Sequence, residues 1–275
     1  MESYLSAIVA AHRAAAADDR RDPDELAARA AGLGPARPFA AALCGGPGTG
    51  LAVVAEVKRR SPSRGDLAPD LDPAAVGKAY AAGGARALSV LTDVEFFGGS
   101  AADLAAARAA SGLPTLRKDF TVGPADVCDA RLMGADAVLL IAAALADPEL
   151  GDLLALATRL GLDALVEVHD EVELSRALSA GAVLVGVNQR DLATFAVDRD
   201  RAARLAPAIP PGVVAVAESG VRGPDDARRL AEAGYEAVLV GESLVTAPDP
   251  GGVLRSLTGH RIGSRRATSA ARATP

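Results

Sequence analysis

The stretch VAEVKRRSPSRGDL, residues 54–67, runs from apolar residues into Glu56, Lys58, Arg59, Arg60 and Arg64. A carboxylate and an ammonium two residues apart can hold an anion or move a proton. Similar residues close other apolar runs: Lys118 in TLRKDF, Glu167 in DALVEVH, Asn188 and Arg190 in VLVGVNQR, and Glu218 in VVAVAES. A single charge at a strand end is ordinarily a solvated loop residue. Two lysines and three carboxylates meeting in an apolar mouth are costly to desolvate unless they pair with each other or with a ligand. Such clusters are where shifted pKa values, and hence general acids and bases, are found.

The elements that must position these residues can be read from punctuation. Eight short runs rich in Val, Leu, Ile and Ala begin at residues 51, 86, 114, 136, 163, 183, 213 and 236. Helix-like segments lie between them. Asp72-Pro73, Gly123-Pro124, Asp147-Pro148 and Gly223-Pro224 put proline in a first turn, where its missing N–H costs nothing. Gly83, Gly134, Gly161, Gly181 and Gly234 are expected to close helices before the next strand. Eight strand-helix units with near-continuous apolar strands predict an α/β protein, a (β/α)8 TIM barrel. The alternative, an open doubly wound sheet, would carry a GxGxxG loop after its first strand, and EVKRRSPSRG is not one.

Alternate residues of a strand share a face. Val54, Glu56 and Lys58 therefore point one way, as do Leu116 and Lys118, Leu165 and Glu167, Gly186, Asn188 and Arg190, and Val214, Val216 and Glu218. Each series ends in a polar group at the carboxyl end, where barrel enzymes keep their active sites. A separate anion site is expected at the last two strand ends, from Ser219 and Gly220 and from Gly241 and Glu242, with the side chain of Glu242 pointing away.

Outside the barrel of residues 51–259, residues 1–50 are expected to form a helical extension. SYLSAIVAAHRAAAA has helical spacing at Leu5, Ile8, Val9 and His12, and Asp22 with Pro23 starts a second helix. CGGPGTG reads as a flexible lead into the first strand. Residues 260–275, small, polar and basic without a period, are expected to be a disordered tail with solvated arginines.

Composition narrows the function. A net charge of −6 argues against a nucleic-acid binder, which needs a basic face. No run approaches the roughly 20 apolar residues of a membrane span, and the N-terminus lacks signal-peptide character, so a cytoplasmic location is expected. Cys44 and Cys128 are far apart and His12, His169 and His260 do not cluster in sequence, so no metal site is expected.

The segments VVAEVKRRSPSRG, LSVLTDVEFFGGS, TLRKDFTV, ALVEVHD, VGVNQRDL, VAESGV and VLVGESL, in this order, resemble the indole-3-glycerol phosphate synthase family of tryptophan biosynthesis over residues from about 5 to 258. The resemblance implies a carboxy-lyase acting on 1-(2-carboxyphenylamino)-1-deoxyribulose 5-phosphate, with loss of carbon dioxide and water and without cofactor or metal. It implies Lys118 as general acid, Glu167 as base, Lys58 as a partner for substrate anions that can share the acid role, and Glu56 as the group that orients the lysines. Asn188 and Arg190 match residues that hold the substrate's carboxylate and hydroxyls, with Ser61 and Glu218 beside them. Pro62, Phe97, Phe120 and Leu139 would form the aromatic slot, and Ser219, Gly220, Gly241 and Glu242 the phosphate loops. The first helix would act as a lid, although this chain lacks the tryptophan that some members carry there. The partner implied is a small phosphorylated substrate, and the chain is expected to be a monomer, with a weak homodimer as the alternative.

The residues separate this reading from two competitors. A phosphoribosylanthranilate isomerase would place a cysteine base at the first strand's end, where Glu56-Val57-Lys58 stands. A barrel kept only for binding would show erosion of the charged mouth, which is intact.

Overall fold

The computed structural model describes residues 4–44, 50–62, 64–191 and 194–265. Eight parallel strands close into a barrel: β1 (Ala52–Val57), β2 (Ala87–Leu91), β3 (Thr115–Lys118), β4 (Ala137–Ile141), β5 (Asp163–Val168), β6 (Leu184–Asn188), β7 (Val214–Glu218) and β8 (Ala237–Val240). Strand β1 pairs with both β2 and β8, so no edge is left. The eight expected runs are the eight strands. A short hairpin of Arg60–Ser61 and Gly65–Asp66 follows β1.

Three helices precede the barrel: α1 (Tyr4–Asp18), α2 (Pro23–Ala31) and α3 (Phe39–Cys44). Around it run α4 (Pro73–Ala82), α5 (Ala101–Ser111), α6 (Pro124–Leu132), α7 (Asp147–Arg159), α8 (Glu171–Ser179), α9 (Arg201–Leu205), α10 (Pro224–Glu232), α11 (Glu242–Val245) and α12 (Pro250–Leu257). Proline stands in the first turn of α4, α6, α7 and α10, as its spacing predicts. Gly83 caps the C-terminus of α4, as expected. Gly83 keeps a right-handed φ of −77°, and Gly84, at +95°, makes the left-handed turn into β2.

Two apolar layers result from the alternation along each strand. Outward residues such as Val53, Val90 and Val166 pack on the helices, whereas Val54, Leu116, Leu139, Leu165, Val216 and Leu239 fill the barrel interior. The first inward residues of four strands, Ala52, Ala87, Ala137 and Ala237, are small. Their size leaves room for Phe39 and Leu43 of α3, both fully buried. Within the N-terminal extension, α3 plugs the amino end of the barrel while α1 reaches the carboxyl mouth. Polar anchoring of the plug comes from Ala40 N–H, which donates to Asp163 at 2.9 Å.

The expectation of a disordered tail from residue 260 is corrected for its first part. Leu51 N–H donates to the His260 carbonyl at 2.8 Å and Gly263 N–H to the Ala231 carbonyl at 2.8 Å. Arg265 is half-buried and pairs with Glu236 at 2.7 Å rather than being solvated. The rest of the tail, residues 266–275, and most of the CGGPGTG lead, residues 45–49, lie outside the described residues. Among those described, no helix is long and apolar enough to cross a membrane.

Candidate active site

Glu56, Lys118, Glu167, Asn188 and Glu218 all turn inward at the carboxyl ends of their strands, as parity requires, and line one cavity of about 480 Å3. Lys118 Nζ donates to Glu167 Oε2 and to Glu218 Oε2, each at 2.7 Å. The three side chains keep only 14%, 2% and 2% of their surface. Asn188 Nδ2 donates to the other oxygen of Glu167 at 3.0 Å. Lys58 pairs with Glu56 at the rim. Glycine spacing makes this cluster possible. A Cβ on Gly186 would collide with Glu218, and one on Gly241 with Glu56.

Burial and charge drive the two carboxylates that share Lys118 in opposite directions. Desolvation pushes Glu218 up to about 7, reinforced by the charges of Glu167 and Glu56 and only partly countered by Lys118. Desolvation also acts on Glu167. There the Lys118 and His169 charges and the Asn188 hydrogen bond outweigh it and bring the group down to about 2. Burial disfavours charge on Lys118 too, but three surrounding carboxylates raise its pKa. Such a site sets two carboxylates with opposed pKa shifts on one shared cation.

The remaining expected residues gather around this centre. Ser61, Pro62, Phe97, Phe120, Leu139 and Arg190 line the cavity, with Ser219, Gly220, Gly241 and Glu242. Phe97 and Phe120 stand with ring centroids 6.1 Å apart, tilted by 37°, over apolar walls that include Leu139 and Ile141. Across the mouth, Ser219 (φ +62°) and Gly220 (φ +79°) make consecutive left-handed turns, and Gln189 Nε2 donates to the Ser219 carbonyl at 2.8 Å. The Glu242 side chain does not simply point away: Arg64 holds it at 2.9 Å, tying the loop after β1 to the loop after β8. Ser63 of that first loop lies outside the described residues.

Several residues that sequence reasoning missed complete the site. Tyr4, Leu5 and Ile8 of α1 roof the cavity. Tyr4 packs edge-on against Phe96 and Phe195, with centroids at 6.1 and 5.2 Å. The scarcity of aromatic residues in the chain was the available signal for Tyr4. His12, one helical turn beyond Ile8, bonds Asp93 at 2.9 Å, and Asp93 in turn accepts from Phe96 N–H at 2.6 Å and Phe97 N–H at 3.0 Å. The helix is thereby tied to the loop that carries Phe97. His12, Asp93 and Asp119 form the one His/Asp cluster with metal-ligand spacing among the described residues. Asp119 accepts from Thr92, from Arg117 at 2.9 Å and from Phe120 N–H at 2.8 Å, so these donors already serve as an anchor. His169 was also missed, although it lies two residues past Glu167 and shares its parity.

Comparison with known proteins gives the family of the chain. The profile of the family described as indole-3-glycerol phosphate synthase matches residues 5–257. The chain is 59% identical over 200 residues to the indole-3-glycerol phosphate synthase of Parafrankia sp. (strain EAN1pec), covering 73% of this chain and 75% of that protein. It is 54% identical to indole-3-glycerol phosphate synthase 2 of Streptomyces coelicolor, with 87% and 92% covered. Among solved structures, a thiamine phosphate pyrophosphorylase from Pyrococcus furiosus shares the fold alone, at TM-score 0.57 and 18% identity over 75% of this chain and 93% of that one. With its barrel, its charged mouth and these relatives taken together, the chain belongs to the indole-3-glycerol phosphate synthase family.

Proposed function

We propose that this protein closes the indole ring of 1-(2-carboxyphenylamino)-1-deoxyribulose 5-phosphate to indole-3-glycerol phosphate, releasing carbon dioxide and water. The observation that carries this reading is Lys118 held at 2.7 Å from both Glu167 and Glu218 in a cavity that Phe97, Phe120 and Leu139 also line.

The chemistry follows from the groups present. The ring carbon bearing the carboxylate attacks the ribulosyl carbonyl, and Lys118 protonates the oxygen as negative charge develops there. Loss of carbon dioxide restores aromaticity without moving a proton. Dehydration then needs an acid for the departing hydroxyl, a role open to Lys118 or Lys58, and a base for one C–H proton, assigned to Glu167. Glu56 orients Lys58, and Asn188 fixes the Glu167 carboxylate. Arg190, with Ser61, binds the substrate carboxylate and hydroxyls. Pro62, Phe97, Phe120 and Leu139 hold the aromatic ring, and Ser219, Gly220, Gly241 and Glu242 frame the phosphate. Two protons go to oxygen and one is taken from carbon, so each turnover draws one proton from water. The protein is read as a monomer acting on a small phosphorylated substrate.

The test is the rise of indole fluorescence when the substrate is added to purified protein, with and without chelator, beside Lys118→Ala. Turnover that survives chelator and collapses in the variant supports the reading. Folded wild-type protein that makes no indole product overturns it.

A further inference from the structure

The base Glu167 has a second neighbour that the reaction above leaves idle. His169 follows β5 with the same parity as Glu167, and its Nε2 stands 3.6 Å from Glu167 Oε1. That nitrogen is buried and has no hydrogen-bond partner among the described residues. The other face of the ring is engaged. Glu173 Oε2, from the first turn of α8, takes the His169 N–H at 2.8 Å and lies 3.0 Å from Nδ1. A carboxylate can only accept, so Nδ1 carries a proton and Nε2 is the atom free to exchange one with Glu167.

The arrangement forms a line. Glu173 meets His169, Oε1 of Glu167 faces His169, and Oε2 of Glu167 touches Lys118 at 2.7 Å. Exposure grades along it. The side chains of Glu173 and His169 keep 16% and 13% of their surface, whereas Glu167 keeps 2%. The dyad thus leads from the buried Glu167 toward more exposed side chains.

We propose that Glu173 and His169 form a proton relay that carries a proton from water through Glu167 to Lys118. This rests on the reaction proposed above, in which Lys118 gives a proton to the carbonyl oxygen and must be recharged while one net proton enters per turnover. In the step itself the Nε2–H bond of the imidazolium breaks and an O–H bond forms on Glu167. The Glu167 carboxyl then turns to bring that proton to Lys118, its O–H bond breaking as the amine becomes ammonium, and Nε2 of the neutral ring, whose Nδ1 has kept its proton, regains one from water. His169 acts through Glu167 and does not touch the reacting atoms, so it is a positioning residue. The gap of 3.6 Å is just beyond hydrogen-bond reach, and such contacts tighten when substrate binds. The charged neighbours are consistent with a ring that holds a proton. Burial lowers its pKa and the charge of Arg201 opposes protonation, but the Glu173 hydrogen bond and the Glu167 and Glu173 charges outweigh both and raise it.

Two readouts test the relay. The first, by NMR without substrate, follows the titration of the His169 ring. It should titrate above its ordinary range in wild-type protein and move down in both Glu167→Gln and Glu173→Gln. The second is steady-state turnover: His169→Gln should lower kcat by about 10-fold with KM unchanged, and added imidazole should restore much of the loss. If His169→Gln does not fold, Glu173→Gln stands in for it, with a smaller fall in kcat and an increased solvent isotope effect. An unmoved His169 titration, wild-type kcat in the variants, or a loss that imidazole leaves untouched would overturn the relay. Wild-type protein that forms no indole product overturns the reaction instead, a failure told apart because the NMR coupling does not depend on turnover.

Discussion

Glu167 and Glu218 accept from the same ammonium, each at 2.7 Å, yet one is held well below the ordinary carboxylate range and the other is raised to about 7. The difference lies in what else each one meets. Glu167 also receives Asn188 and stands near His169, whereas Oε1 of Glu218 has no partner among the described residues.

Removing the shared cation should therefore harm both stability and turnover. Lys118→Met leaves two buried carboxylates without their counter-ion, and urea melts should show a loss of about 3–5 kcal/mol. Adding Glu218→Gln should recover part of that loss, because one of the stranded charges is gone. Neither variant should regain activity, with kcat down by about 10²–10⁴-fold in the indole fluorescence assay.

The raised Glu218 carboxyl gives a pH signature with a defined sign. A folded pKa above the ordinary carboxylate value contributes stability that is full below that value and is lost as pH rises through about 7. The melting temperature of wild-type protein should fall across that window relative to Glu218→Gln. Glu167 runs the other way. Its contribution is present above the ordinary range and is lost as pH falls toward about 2.

Two glycines should behave as parts of the site. Gly186→Ala places a Cβ against the Glu218 carboxylate and 3.2 Å from Leu165 Cδ1, and Gly241→Ala places one against Glu56. Each should cost about 1–3 kcal/mol in a denaturant melt and lower kcat by displacing a carboxylate. Gly151→Ala, where a Cβ meets nothing within 4 Å, is the control and should leave kcat unchanged.

The contact between His12 and Asp93 should govern how firmly α1 covers the cavity. His12→Ala should raise KM several-fold and lower stability by about 1 kcal/mol, since one charge-assisted bond at a partly exposed position is lost. The Asp93 hydrogen bond raises the His12 pKa. Its contribution is therefore complete below the ordinary histidine value and fades as pH rises through the raised one. KM of wild-type protein should climb over that range and that of His12→Ala should stay flat.

Much of this architecture was legible because it depends on short-range periods. The two-residue repeat along a strand is enough to send Glu56, Lys118, Glu167, Asn188 and Glu218 to one face, and proline in first turns marks where α4, α6, α7 and α10 begin. Applied one residue pair further, the same parity reaches His169. The plug helix α3 was not legible. Its six residues are too few to show a period, and its role depends on small alanines at the starts of four distant strands. Arg265 was misread for a related reason. A polar, aperiodic tail looks solvated until the distant Glu236 that binds it is in view.

By itself, then, the chain of residues determined which side chains end the strands and which face each occupies, because those follow from backbone geometry over a few residues. Only the closed barrel decided which of them meet. Lys118 finds Glu167 at a separation of 49 residues and Glu218 at 100, because the closure of eight strands sets the distances across the mouth. Local alternation carries no information about those distances. The opposed protonation of the two carboxylates arises only there, where burial and one shared cation act on them together.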